Sequence, residues 1–348
     1  MKKYLKGILN GLFLALLIGL TLYFLLKDQE LPKIFEACRQ AKPGYLLAGI
    51  ILVIIFVCSE SVIIHYMMRT LKYKAPLKNC IRYSFIGFFF SCVTPSATGG
   101  QPAQVYYMNK DGLDISVSSL ILMVVTVAYK GVLLILSGLA FFTERGFIQK
   151  HLGSVRYILL YGIIVNGIFI AFLLVVIFKT SIVRICSRKA VHWLAKWKLV
   201  KHEQERMDKI SVSLDRYHAG AMYLKSHGMV LVNVFLITIV QRVSLFAVTW
   251  LVYRSFGLHG TNVWQIICLQ TIISLSVDML PLPGGIGASE ASFMVMFAGI
   301  FGTSLVLPGM LLSRGISYYI LVLLSGLVTC WAHLICRRGE KMVDDRII

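Results

Sequence analysis

Six ionisable residues stand inside stretches that are otherwise apolar: Glu60, Lys130, Asp278, Glu290, Arg242 and Arg314. Three are acids and three are bases, so the set can be neutral as a whole. An ionised side chain at a bilayer centre costs about 2.5–3.5 kcal/mol on insertion scales, so each of the six must be paired or face water. Two kinds of chemistry are open to them. They could fix helix packing as internal ion pairs, or they could hold a charged substrate as it passes. Lys130 and Arg242 lie near the centres of their segments and could grip a phosphate. Asp278 and Glu290 flank a Pro/Gly break and could take an ammonium or carry a coupling proton. Glu60 and Arg314, nearer segment ends, could instead snorkel or reach cavity water.

Two stretches interrupt the apolar segments on one plan, "TPSATGGQPAQVYYM" over 94–108 and "LPLPGGIGASEASF" over 280–293. Pro95, Gly99, Gly100 and Pro102 carry the first break; Pro283, Gly284, Gly285 and Gly287 carry the second. Backbone that leaves helical geometry at membrane depth is tolerated only where it is buried in protein or lines a wet cavity, because lipid cannot satisfy its polar groups. Two breaks therefore imply a cavity. In each, a proline and glycines leave N–H groups free just before a following helix, which suits a phosphate. The alternative is a pair of ordinary turns at the membrane surface.

The elements that must position these residues follow from hydropathy. The chain has 348 residues, 57% of them hydrophobic, and a mean hydropathy of +0.77. That composition reads as an all-α polytopic membrane protein. Full spans are expected at about 7–26, 44–67, 117–142, 157–178, 229–253 and 309–335, six in number. Interrupted hairpins are expected over 77–110 and 262–304. The chain starts with basic residues like a signal peptide, but its apolar run of about 20 residues lacks a small-residue cleavage site and reads as a retained helix. Residues 31–41 carry apolar positions at helical spacing and read as a short helix on the outer surface.

Charge sets the orientation. The net charge of +19 and pI of about 9.7 would suggest nucleic acid in a soluble chain. Here Lys and Arg concentrate in loops, where they orient helices and meet anionic lipid. Lys2, Lys3 and Lys6 agree with the loop of Arg69, Lys72, Lys74, Lys78 and Arg82 in placing both on the cytoplasmic side. Residues 179–226 hold eleven Lys or Arg against four acids and must also be cytoplasmic. The parity works only if 77–110 does not cross. The hairpin 262–304 is then inserted from the opposite face, and both termini are cytoplasmic. Opposed interrupted hairpins are the pattern of inverted-repeat transporters. The chain thus reads as one integral domain: a first half over 1–178, a basic linker over 179–226 and a second half over 227–348. Within the linker, Val183, Cys186, Ala190, Trp193, Leu194, Trp197 and Val200 share a helical face. It reads as an interfacial helix on anionic headgroups or as an amphipathic linker packed on the protein.

Enzyme signatures are missing: there is no H-E-x-x-H, Walker loop, G-x-S-x-G or metal-spaced cluster. No catalytic residue, metal or cofactor is expected. The eight cysteines show no C-x-x-C spacing and read as free thiols, and the eight scattered histidines as polar anchors.

At the two Pro/Gly motifs the sequence resembles the lysylphosphatidylglycerol synthase transmembrane family, the flippase-like membrane region of the bacterial multiple peptide resistance factor. The resemblance covers nearly the whole chain, and the second motif with its following Glu290 is the more specific. It implies a protein of the bacterial cytoplasmic membrane that moves aminoacylated phosphatidylglycerol, or a related anionic or polyprenyl lipid, between leaflets. Export of a lysylated lipid would make the outer surface less negative and confer resistance to cationic antimicrobial peptides. Full-length members add a soluble aminoacyl-transferase domain that takes lysine from lysyl-tRNA; here eleven residues follow Arg337. The alternatives are lysine transfer to phosphatidylglycerol by this chain or with a separate synthase docked on 179–226, a non-transporting scaffold, and an ion-coupled small-molecule transporter.

Overall fold

A computed structural model of the chain describes residues 31–179 and 203–344. Its regular structure is helical throughout these residues. Helix starts follow local chemistry. α1 is Leu31–Gln40, and α2, Pro43–Thr70, opens on a proline whose missing N–H is an orphan there in any case. α3 is Leu77–Val93 and α4 is Gly100–Lys110. α5, Ile115–Thr143, is capped by Asp114, whose carboxylate accepts from the N–H groups of Ser116 and Val117. α6 is Arg145–Leu152, α7 Val155–Phe178, α8 Glu203–Ser226 and α9 Gly228–Ser255. α10, Val263–Val277, starts in a capping box between Asn262 and Gln265. α11 is Ala288–Phe301, α12 Val306–Arg314 and α13 Ile320–Asp344, the last two joined by a π-helical turn over Gly315–Tyr319.

Among the described residues, five helical segments are long and apolar enough to cross a membrane: Pro43–Thr70, Ile115–Thr143, Val155–Phe178, Gly228–Ser255 and Val306–His333. This is a multi-pass membrane protein. The sixth expected span, 7–26, and the amphipathic face over 183–200 lie outside the described residues. Both expected hairpins are interrupted helices, α3–α4 and α10–α11. The connection after α5 contains a short helix, α6, and the expected last span over 309–335 is continuous helix with a π turn within it.

α2 and α9 pack against each other, α13 lies on α3, and α10 lies between α7 and α9. One core, with Phe56, Leu133, Phe246, Ile272, Phe297 and Met310, fills the space between α2, α5 and α9–α12. A second, with Ile63, Met67, Tyr83, Leu120 and Leu224, joins α2, α3, α5 and α8. The outward side of α7 exposes Leu160, Ile164, Ile168 and Phe172, as a helix facing lipid would. α8 is held to the start of α5 by an ion pair from Arg216 Nη1 to Asp114 Oδ2 at 2.6 Å. The cysteines at 38, 58, 80, 92, 268 and 330 are free thiols.

Candidate functional site

The two breaks have one geometry. After Pro95 the chain turns through Ser96 and Ala97 at φ 51° and 55°; after Pro283 it turns through Gly284 and Gly285 at φ 57° and 64°. Ala97 N–H donates to Thr94 O and Thr98 N–H to Pro95 O, at 3.3 and 3.2 Å. Gly285 N–H donates to Leu282 O and Ile286 N–H to Pro283 O, at 3.1 and 3.2 Å. Each turn runs directly into a helix, α4 at Gly100 and α11 at Ala288. Pro95 therefore corresponds to Pro283 and Gly99 to Gly287. The Gly-Gly pairs that look alike in sequence are out of register in space. The first break holds the left-handed conformation with non-glycine residues, which costs about 1–2 kcal/mol per residue.

The turns also meet. Pro95 and Pro283 form an antiparallel bridge, and Ser96 Oγ donates to Leu280 O at 3.1 Å. Glycine permits the close approach. A Cβ on Gly284 would stand 2.0 Å from Tyr318 Oη, and one on Gly100 would stand 2.0 Å from Ser91 Oγ.

A cavity of about 530 Å³ opens beside this junction. Its lining includes Glu60, Lys130, Arg242, Asp278 and Arg314, with Ser96, Ala97 and Thr98 of the first break and Gly284 and Gly285 of the second. The structure thus brings five of the six intramembrane charges to one space. The sixth, Glu290, lies behind Arg314.

These charges divide into three sets. Lys130, 5% exposed, is ion-paired with Asp278 and donates to Asn166 Oδ1 at 2.9 Å and Met279 Sδ at 3.1 Å. Tyr129 donates its hydroxyl to the other oxygen of Asp278. Glu290, 1% exposed, accepts from Arg314 Nε at 2.8 Å, from Gly287 N–H at 2.7 Å and from Tyr319 Oη at 3.5 Å. Its carboxylate therefore fills the N-terminus of α11, and Arg314 reaches on to Gly284 O at 3.4 Å. The third set is Glu60 and Arg242. Glu60 Oε1 accepts from Gln104 Nε2 at 2.8 Å. The Arg242 guanidinium lies 3.7 Å from the Tyr129 ring centroid and 5.1 Å from that of Phe56, and its Nε is buried without a hydrogen-bond partner. Among the described residues neither Glu60 nor Arg242 forms an ion pair.

The sequence reading placed a phosphate on Lys130, Arg242 and the N-termini of both half-helices. In the structure Lys130 already has a carboxylate, and the second half-helix N-terminus already has one as well. Arg242 is the cation facing the cavity without a counter-ion in contact. The same cavity is lined by Thr98, just before α4, and Gln101 in its first turn, which donate to Pro95 O at 3.0 Å and Leu122 O at 3.2 Å. Sequence reasoning missed Tyr129, Asn166 and Gln104. The two amides interrupt otherwise apolar or small-residue helix faces, and that was the signal available for them. Gln104 reaches Glu60 because it passes Gly87, where a Cβ would stand 2.4 Å from Gln104 Nε2. Among the described residues no group of three His, Cys, Asp or Glu is placed to hold a metal ion.

A multi-pass helical membrane protein whose two helix breaks meet at a charged internal cavity is the class that this fold and site define. The sequence matches the family model described as "Lysylphosphatidylglycerol synthase TM region" over residues 8–325. The chain belongs to that family. A Mycoplasma pneumoniae (strain ATCC 29342 / M129 / Subtype 1) protein described as "Uncharacterized protein MG306 homolog" is 21% identical over 327 residues, covering 88% of this chain and 82% of that protein.

Proposed function

We propose that this protein moves a lipid with a phosphate headgroup between the leaflets of the bacterial cytoplasmic membrane, and that lysyl-phosphatidylglycerol, or a related anionic or polyprenyl lipid, is the cargo. The single observation that carries this reading is Arg242, a guanidinium without an ion pair that faces a cavity at the meeting point of two helix breaks. A buried cation without a counter-ion is costly unless an anion arrives to meet it. A volume of about 530 Å³ suits a headgroup, while the acyl chains can stay in lipid.

In this reading 77–110 and 262–304 are re-entrant hairpins inserted from opposite faces as an inverted repeat, with both termini cytoplasmic. The matching turns and their bridge support the repeat. The phosphate sits on Arg242 with help from donors at the start of α4. The Lys130–Asp278 and Arg314–Glu290 pairs hold the two arms of the second break to the surrounding helices while it passes. Outward movement of a lysylated lipid lowers the negative charge of the outer surface and repels cationic peptides.

The test uses purified full chain in proteoliposomes containing phosphatidylglycerol and lysyl-phosphatidylglycerol, with outer-leaflet headgroup accessibility followed over time. The wild type is expected to accelerate exchange over protein-free vesicles, and Arg242→Ala to abolish the acceleration while remaining folded. Equal rates for wild type, variant and empty vesicles would end this reading. Because the family description contains a synthase, the same vesicles are supplied with lysyl-tRNA. Formation of lysylated lipid by the chain, alone or with a soluble partner on 179–226, would replace transport with lysine transfer.

A further inference from the structure

Glu60 is the one intramembrane acid of the six-charge set that contacts no cation. Asp278 is held by Lys130 and Tyr129, and Glu290 by Arg314 and the Gly287 N–H, so a proton on either would strand a buried cation. Glu60 lines the cavity, is partly accessible within it, and has neutral amides for partners, Gln104 at 2.8 Å and Gln241. Arg242 stands close by without bonding to it, for its guanidinium lies over the ring of Phe56, one helical turn from Glu60 on α2. With the two ion pairs self-neutralised, the remaining charge in the cavity is one acid and one base.

An arriving phosphate upsets that balance. It takes Arg242 and leaves Glu60 as an extra negative charge in a poorly solvated space, where a nearby like charge and burial both favour the neutral acid. We propose that Glu60 is a proton site coupled to anion binding at Arg242. A proton from water adds to the Glu60 carboxylate when the phosphate binds, travels with it, and returns to water when the phosphate leaves. Transport of a singly charged anionic headgroup is then proton-coupled and electroneutral. This rests on the translocation reading above.

The groups that surround Glu60 leave it this role. α9 offers Arg242 and α4 the neutral Gln104. α5 offers Tyr129 and Lys130, the latter neutralised by Asp278 of the second break. The segment around the π turn offers Arg314 with Tyr318 and Tyr319, neutralised by Glu290. On α3, Arg82 and Tyr83 are engaged with Asp111. On α2 itself, His65 is hydrogen-bonded to Ala75 O at 2.8 Å.

The probe is short-chain phosphatidylglycerol, which carries one phosphate charge and no amine, titrated into the detergent-solubilised full chain. Over about pH 5 to 9, where carboxylates in poorly solvated sites titrate, the alkaline limb is expected to show affinity falling about tenfold per pH unit, the slope for one linked proton. A pH dye in weak buffer should register about one proton taken up per lipid bound. Glu60→Gln should bind with a flat profile and no uptake. Binding by the wild type with a flat profile and no uptake overturns the coupling but leaves translocation standing, and this result does not depend on the variant folding. A slope retained in Glu60→Gln also overturns it. No binding at any pH removes the translocation reading and the coupling together. Equally tight binding of the deacylated headgroup, glycerophosphoglycerol, with the same uptake supports the coupling and reassigns the ligand to a soluble phosphodiester.

Discussion

Glu290 gives the sharpest test of which intramembrane charges are structural. Its carboxylate joins three elements: the N–H of Gly287 at 2.7 Å, Arg314 Nε at 2.8 Å and the Tyr319 hydroxyl at 3.5 Å. Glu290→Gln keeps the shape but removes the charge, and its one amide oxygen can accept from Arg314 Nε or from the Gly287 N–H but not from both, so the guanidinium is left without a carboxylate. Removing one partner of a buried pair costs about 3–5 kcal/mol, because the other charge is left uncompensated. At about 2 °C per kcal/mol for a large domain, the apparent Tm should fall by roughly 6–10 °C. Replacing both members with neutral residues of similar volume removes the uncompensated charge, so Glu290→Gln with Arg314→Met should recover most of that loss. The assay is thermal unfolding of detergent-solubilised protein followed by size-exclusion fluorescence, at one scan rate for all variants. A single variant within about 1 kcal/mol of wild type, the range of an exposed pair, would refute the reasoning. So would a double variant less stable than the worse single one.

Four further outcomes follow from the site. Gly284→Ala should destabilise by about 2–5 kcal/mol, combining left-handed backbone strain with overpacking against Tyr318, measured by the same unfolding assay. Ala97→Gly should stabilise by about 0.5–1 kcal/mol, since relief of strain at φ 55° exceeds the entropy that glycine loses and the exposed methyl packs little. Tyr129→Phe should keep lipid binding, because the ring remains under Arg242, at a stability cost of about 1–2 kcal/mol for the lost bond to Asp278. Tyr129→Ala should weaken lipid binding, read by titration with short-chain phosphatidylglycerol.

Much of this was legible in the residues. The apolar runs had to be helices, because a segment surrounded by lipid must satisfy its own backbone, and Pro95 and Pro283 had to interrupt them. The six charges had to converge or pair, because none can stand alone in hydrocarbon. Which would pair was not legible. Lys130 and Arg242 are both central bases in apolar helices, and nothing local distinguishes them. Asp278 finds Lys130 because the end of α10 arrives beside α5, and Glu290 finds Arg314 because α12 ends in a π turn beside the second break. Arg242 is left with the Tyr129 face and Glu60 with an amide. The sequence alone determined a helical membrane protein with two broken segments and a balanced set of buried charges, since hydropathy and proline chemistry act over short stretches. Only the tertiary structure decided that the breaks touch, that two charge pairs close, and that Glu60 and Arg242 stay open to the cavity. Those outcomes depend on contacts between different helices, 148 residues apart for Lys130 with Asp278 and 24 apart for Arg314 with Glu290, which no local pattern encodes.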